Sequence, residues 1–332
     1  MSLSGPLLYF LAAGVPLGLA FLLDISLGDP KESSLAERLY PPVLVGNLAL
    51  GLSESIPRAG RPQREWALGT LVWFVTVGTA VIVALLLCVV LAPFWLAFLQ
   101  VGGPNGNVRF WIPAIAVLVL FVFWTKSLFT TRGLVQYCLA PLGKPLEEKR
   151  TLVSRVVNRP TAELPDALLN SALIESLAEN TTDSIVSPLL YYAFLGLPGA
   201  VFYRSVNTLD ALMGHRDRHW IHVGAFAAKV DHVANWPGER LSSAFLGTGK
   251  RAEVQTLYPE VRAPRSIVAM ASSLGVRLER KGSYVIGKDW APPEEEDVRR
   301  AARKVKKASL FALAMAGGIL GVMAVVGWTF FL

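Results

Sequence analysis

Cysteine and histidine are scarce in this chain: two Cys and four His occur among 332 residues. Cys88 and Cys138 form no CxxC pair, so neither a disulfide framework nor a thiolate metal site is expected. Charge is also low, with Asp, Glu, Lys and Arg making up 17% of residues against 53% hydrophobic. No Ser or Cys nucleophile signature and no nucleic-acid-binding signature is present. Two absences are local. Residues 92–108 contain no charge at all, and no Lys or Arg falls between Arg159 and Arg204.

What is abundant is uninterrupted apolar sequence. Gly5–Leu23, Ala67–Leu91 and Ala308–Leu332 are each long enough to cross a bilayer, and a shorter run centres on Phe110–Trp124. The first lacks a basic leader and a cleavage site, so it reads as a retained span. The expectation is a mainly α-helical integral membrane protein with about four transmembrane helices and a mostly helical cytoplasmic region. Residues 1–130 form a membrane region with spans near 5–23, 67–91 and 109–129. A cytoplasmic region follows over 131–307, and a last span covers 308–332.

Loop charges orient these spans. The uncharged 92–108 connection lies between spans two and three. Lys31, Arg38, Arg58, Arg61 and Arg64 follow the first span, and Arg299, Arg300, Arg303, Lys304, Lys306 and Lys307 precede the last. The positive-inside rule puts both basic regions in the cytoplasm and both termini outside. If the apolar run Ile185–Tyr203 also crossed, the basic stretch after it would be forced outside. With Pro188, Gly196, Pro198 and Gly199 inside it, the run reads as buried or re-entrant. A net charge of +7 then suits basic loops against anionic lipid and does not call for nucleic acid.

Within 131–307, Asp166 after Pro165 is a helix start. Arg277–Ile286 reads as a small hairpin, and Glu294–Lys307, acidic then basic, as a helix aligned with its own dipole. The expected helix after Asp166 carries Glu175, Glu179 and Asp183 at i, i+4, i+8, with Asn180 beside them. Helical spacing stacks the three carboxylates on one face. With no nearby base in sequence, such a stripe implies a cation, a distant basic partner or plain solvation. Oxygen-only ligands suit Mg²⁺ that also binds substrate phosphates.

Two further sets follow. Arg204, Asn207, Thr208 and Asp210 place a guanidinium, an amide and a carboxylate along one helical side, against the plainer reading of an internal ion pair. Lys229, Asp231, Asn235 and Arg240 repeat the theme, with Trp236-Pro237 expected to end the turn; an exposed amphipathic helix is the plainer reading. Gly247-Thr248-Gly249-Lys250-Arg251 lacks the Gly and Ser/Thr of a phosphate loop. His215, His219 and His222 have zinc-like spacing but sit in a charged loop.

Taken in order, these motifs resemble a known family. Glu175-Ser176-Leu177-Ala178-Glu179-Asn180-Thr181-Thr182-Asp183, Ser187-Pro188-Leu189, Asn207-Thr208-Leu209-Asp210 with Met213-Gly214, and Asp231 with Ala234-Asn235 and Arg240 are similar to the adenosylcobinamide-phosphate synthases of cobalamin biosynthesis. The opening Asp24 and Gly28-Asp29-Pro30, and Leu274–Leu278 with Tyr284–Gly287, resemble it too. The resemblance implies a multi-pass cell-membrane enzyme whose catalytic region faces the cytoplasm. It implies a ligase that joins adenosylcobyric acid, a corrinoid, to (R)-1-amino-2-propanol phosphate or a related amino alcohol, with ATP as substrate and Mg²⁺ as cofactor.

On that resemblance, Glu175, Glu179 and Asp183 are magnesium ligands, with Asp210 and Asp231 as further ligands or a base. Arg204, Lys229 and Arg240 clamp phosphate or carboxylate, and Asn180, Asn207, Thr208 and Asn235 bind substrate. Membrane lipid, a homo-oligomer or other cobalamin-assembly membrane proteins are the implied partners. The chain departs from the family pattern at Pro41-Pro42-Val43 (for His-Pro-Val), at Asn158-Arg159-Pro160-Thr161 (for Gly-Arg-Asp-Thr) and at His232 (for the second Asp of a pair). A Gly-Trp-Pro is missing around Arg265-Ser266-Ile267. Those departures leave a non-catalytic sensor or regulator, and less readily a transporter, as the competing readings.

Overall fold

The computed structural model describes residues 5–30, 34–56, 60–101, 111–214, 220–247, 253–256 and 263–326. Residues 102–108 of the uncharged connection, His215, His219 and residues 248–251 lie outside them. The helices are α1 (Gly5–Leu27), α2 (Leu35–Arg38), α3 (Pro41–Glu54), α4 (Pro62–Val101), α5 (Trp111–Lys126), α6 (Arg132–Leu139), α7 (Leu146–Val153), α8 (Asp166–Thr181), α9 (Ser187–Met213), α10 (Ala225–Leu246), α11 (Arg265–Leu274) and α12 (Glu295–Val326). A π-helical turn, Thr182–Val186, links α8 to α9, and three short strands are also described: β1 (Val254–Thr256), β2 (Leu278–Arg280) and β3 (Tyr284–Ile286).

The chain is a mainly helical integral membrane protein. Helical runs long and apolar enough to cross a bilayer cover Phe10–Leu27, Pro62–Leu91, Asp166–Met213 and Glu295–Val326. The third of these runs is not among the spans expected from sequence, which placed one near 109–129. Helix α5 has 16 residues, about 24 Å at the α-helical rise and short of a hydrocarbon core of about 30 Å. The run through 185–203 instead sits inside a long helical stretch. That stretch is broken at Gly196, whose φ of 63° is open to a residue without a Cβ, and Pro198 two residues on cannot donate to the preceding turn.

The chain divides into two compact units. The first, a membrane unit, comprises residues Met1–Thr130, Ser187–Asn235 and Ala314–Leu332. Its core joins Val45 and Ala49 of α3, Val72, Trp73 and Val77 of α4, Tyr203, Val206, Leu209 and Met213 of α9, and Ala227 of α10. Glycine permits the close approaches. A Cβ on Gly69 would fall 2.0 Å from the Val223 carbonyl oxygen, so α4 can pass that turn only without a side chain. Leu71, Phe74, Ile82, Leu86 and Val89 of α4 are exposed. In water that row would be a liability; against acyl chains it is the expected outer face. Lys126 at the end of α5 is buried between Asp24 (3.1 Å) and Asp29 (2.6 Å), and Thr130 Oγ1 donates to Asp29 at 2.6 Å. This ion-paired knot ties the ends of α1 and α5.

The second unit comprises Thr131–Val186 and Trp236–Leu313. Its centre is α8, where every residue from Leu169 to Ala178 is buried. Helices α6, α7 and α11 and strand β2 pack around it. Strands β2 and β3 pair antiparallel, with Leu278 opposite Ile286 and Arg280 opposite Tyr284, and β1 pairs on the far side of β3. The β2–β3 hairpin follows the sequence reading; β1, three exposed residues with no periodic signal, does not appear in it. Buried Lys149 of α7 meets Asp166 at 2.7 Å and Glu295 at 3.0 Å, joining the starts of α8 and α12.

One helix boundary is corrected. Trp236-Pro237 does not end a helix: α10 continues to Leu246 with Pro237 inside. Buried Ser242 and Leu246 carry its inner face on past the proline, and that packing outweighs one missing backbone donor. Both cysteines are free and buried, in keeping with the absence of a disulfide.

Candidate functional site

The acidic stripe is not uniform once folded. Glu175 is 5% exposed and fully engaged. Arg159 approaches both carboxylate oxygens at 3.2 Å, Ser171 Oγ donates at 2.8 Å and the Tyr284 hydroxyl donates at 3.1 Å. The Ser171 oxygen in turn accepts from the Glu279 backbone N–H at 2.8 Å, locking β2 onto α8. Burial, and next the Glu175 charge, push the Tyr284 phenol well above its ordinary range, so it stays a donor. The distant basic partner therefore exists for Glu175. It is Arg159, the last base before the gap.

Glu179, one turn on, is exposed, and Asp183 is partly buried. Between them Asn180 Nδ2 donates to the Ser176 carbonyl at 3.0 Å, and Ser184 Oγ donates to Asn180 Oδ1 at 3.4 Å. Asp183 sits in a π-helical turn, Thr182–Val186. The wider turn breaks the α-helical phase, so the stacking of Glu175 on Glu179 is not carried through Asp183. Among the described residues, no group of three or more His, Cys, Asp or Glu gathers closely enough to hold a metal ion. The three-carboxylate magnesium cage expected from Glu175, Glu179 and Asp183 is thus not preformed, because a guanidinium already neutralises Glu175. Glu179 and Asp183 remain suited to Mg²⁺ carried on phosphates, which needs only one or two protein carboxylates.

The two later sets, separate in sequence, meet within the membrane unit. Arg204 Nη1 donates to Asn207 Oδ1 at 3.0 Å, and Asn207 Nδ2 to Asp231 Oδ1 at 3.5 Å. Asn235 Nδ2 donates to Asp231 Oδ2 at 2.9 Å. Asn235 Oδ1 accepts from the Tyr203 hydroxyl in a short hydrogen bond and from Ser187 Oγ at 3.3 Å. Asp231 is 8% exposed. The i, i+3 spacing on α9 and the i, i+4 spacing on α10 bring these groups together as helical geometry requires. Tyr203 and Ser187 join them without having been singled out. Their signal was present: Ser187 opens a family-like motif, and Tyr203 stands next to Arg204.

The remaining sequence candidates have other settings. Asp210 packs at the C-terminal end of α9, where a Cβ on Gly214 would fall 2.0 Å from its Oδ1. Thr208 is half-buried near Gly46 of α3, and Lys229 is exposed. Arg240 stacks over the Trp236 ring, 3.6 Å from its centroid, and donates to the Trp236 carbonyl. Among the departures from the family pattern, Pro41 opens α3 and His232 is exposed.

A protein-family model described as CobD/Cbib protein matches residues 17–311. The chain is similar to three proteins each named probable cobalamin biosynthesis protein CobD. That of Pyrococcus furiosus is 33% identical, covering 86% of this chain and 92% of its own length. That of Pyrococcus abyssi is 36% identical, covering 86% and 89%. That of Methanothermobacter thermautotrophicus is 30% identical, covering 93% and 97%. No solved structure matches. With nearly its whole length matched, the chain belongs to the CobD/Cbib family.

Proposed function

We propose that this protein is an ATP-dependent amide ligase of cobalamin biosynthesis. It joins adenosylcobyric acid to (R)-1-amino-2-propanol phosphate, or a related amino alcohol, and gives adenosylcobinamide phosphate. Family membership supports the pathway. The observation that carries the chemistry is the partly buried Arg204–Asn207–Asp231–Asn235 chain of the membrane unit, a guanidinium and a carboxylate fixed by amides. The basic loops support a catalytic region that faces the cytoplasm, where ATP is.

In this reading a propionate oxygen of the corrinoid attacks the γ-phosphorus of ATP, forming an acyl phosphate as the bond to ADP breaks. The amine nitrogen then attacks the acyl carbon, phosphate leaves, and the nitrogen gives up a proton. When bound, Mg²⁺ supplies charge neutralisation at the phosphates. Glu179 and Asp183 are the carboxylates that would hold it. Arg204 meets transferred negative charge, and Asp231, oriented by Asn207 and Asn235, takes the proton from the attacking amine. Tyr203 and Ser187 keep the Asn235 amide turned so that its N–H groups face Asp231.

The departures at Pro41, Pro160 and His232 favour the second reading, a membrane sensor or regulator on the same scaffold. The test incubates the purified full-length protein in detergent with Mg-ATP, adenosylcobyric acid and the amino alcohol phosphate. The ligase reading expects corrinoid-dependent ADP release and a product heavier by the amino alcohol phosphate less water. ATP turnover that ignores the corrinoid, or corrinoid binding without product, supports the sensor and overturns the ligase.

A further inference from the structure

Helix α12 enters its apolar run behind Arg299, Arg300, Arg303, Lys304, Lys306 and Lys307. Folding does not leave these bases alike. Arg299 lies 3.6 Å from Glu295 and 3.8 Å from Glu296, Arg300 donates to Asp297 at 2.8 Å, and Arg303 donates to Glu296 at 2.7 Å. Lys304 donates to the Leu246 carbonyl at 3.3 Å, at the C-terminal end of α10. Lys306 and Lys307 are exposed, and among the described residues neither ammonium forms an ion pair or a hydrogen bond. We propose that this lysine pair binds the phosphate of an anionic membrane lipid. The inference is independent of the ligase reading and adds a ligand that the reaction does not consume.

The helix sets the depth of the pair. From Ala308 to Val326 it carries no charge, a length of about 28 Å at the α-helical rise, which matches a hydrocarbon core of about 30 Å. Lys307 therefore stands at the polar edge of the span, with Lys306 just outside it. Leu310 shares a face with Lys306, and Phe311 with Lys307, each at i, i+4. Both apolar side chains are exposed, at 56% and 57%, as contact with acyl chains requires. Phe311 also meets Phe245 of α10, with ring centroids 6.0 Å apart, which holds this surface in place. Side chains on a helix tilt toward its N-terminus, so the two ammonium groups reach away from the hydrocarbon, to headgroup depth. A lipid whose chain lies along Leu310 and Phe311 presents its phosphate there.

Charge selects the headgroup. Each arginine faces a carboxylate, and Lys304 is turned onto the end of α10. The positive charge still open to a ligand is on Lys306 and Lys307. Arg303 at i−4 and Lys304 at i−3 from Lys307 add like charges at repelling spacings, which a bound anion relieves. A zwitterionic lipid brings its own ammonium and gains little, whereas an anionic phosphodiester brings net charge to match. Free phosphate has the charge but no chain for Leu310 and Phe311.

The test titrates the purified, delipidated full-length protein in a neutral detergent and counts bound lipid by native mass spectrometry. Phosphatidylglycerol, phosphatidylcholine and inorganic phosphate are the ligands. Phosphatidylglycerol is expected to bind about tenfold more tightly than phosphatidylcholine, and inorganic phosphate at equal concentration is expected to leave it bound. Lys306→Gln combined with Lys307→Gln should remove that preference. Arg299→Gln combined with Arg303→Gln removes the same formal charge from groups already facing carboxylates, and should change the preference less than about twofold. All four positions are exposed, so both double variants keep the fold. Equal losses in the two variants would mean that net charge alone attracts the lipid, and would overturn the assignment. An unchanged preference in the lysine variant, equal binding of the two lipids, or displacement of lipid by inorganic phosphate would overturn it as well.

Discussion

Glu175 and Asp231 are both buried carboxylates on helices, yet the two units of the molecule hold them differently. Glu175 meets a guanidinium on both oxygens and two hydroxyl donors besides. Asp231 accepts from two side-chain amides, themselves steered by Arg204, Tyr203 and Ser187. An ion-paired carboxylate bound to a loop, a helix and a hairpin is suited to fixing walls. A carboxylate oriented by amides is suited to handling a proton or a cation. Acidic residues that look equivalent in sequence thus divide into scaffold and chemistry, and the division can be broken by substitution.

The largest effect falls on the scaffold side. Arg159→Ala leaves Glu175 buried and charged without its partner, and should cost about 3 kcal/mol, with a lowered thermal midpoint for the detergent-solubilised protein. Adding Glu175→Gln to it should restore part of the loss; an unshifted midpoint in the single variant would move Glu175 out of the scaffold role. On the other side, Asp231→Asn keeps size but can accept from only one of Asn207 and Asn235, and should lower turnover about 100-fold with a smaller fall in midpoint than Arg159→Ala. A variant that unfolds but retains its rate would invert the comparison. Tyr203→Phe removes one donor to Asn235 and should cost about 1 kcal/mol in stability, along with some loss of rate.

The smallest effect is a pH dependence. Tyr284 keeps its proton in the folded protein because burial and the Glu175 charge raise its phenol above the ordinary 10.0. Its contribution is complete below that ordinary value and is lost as pH rises through and beyond it, because only the unfolded chain ionises there. Unfolding midpoints should therefore fall above about pH 10 less steeply in Tyr284→Phe than in wild type. Parallel curves would remove Tyr284 from the Glu175 network.

Long spans, the start of α8, the β2–β3 hairpin and the acidic-to-basic start of α12 were legible because each rests on local periodicity or a local cap. The Arg159–Glu175 pair was not, since it depends on a loop folding back across 16 residues and sequence spacing carries no such signal. The retained Arg in Asn158-Arg159-Pro160-Thr161 was the available hint. The π-turn at Asp183 was hidden for a different reason: an i, i+4, i+8 pattern presumes an unbroken α-helix, and tertiary packing decides whether that holds. The meeting of Arg204, Asn207, Asp231 and Asn235 was half visible. Each helix offered a correct face, but nothing local matched one face to the other. Helix α10 running through Pro237 likewise needed its buried inner face, which appears only after folding.

The central claim is that a corrinoid carboxylate is activated by phosphoryl transfer and then captured by an amine. Its most direct test is single-turnover reaction with adenosylcobyric acid labelled with ¹⁸O in the reacting carboxylate, followed by mass analysis of the released phosphate. The account predicts one ¹⁸O atom in each phosphate formed with product, carried over as the acyl phosphate bond breaks. Unlabelled phosphate released alongside amide product would contradict it.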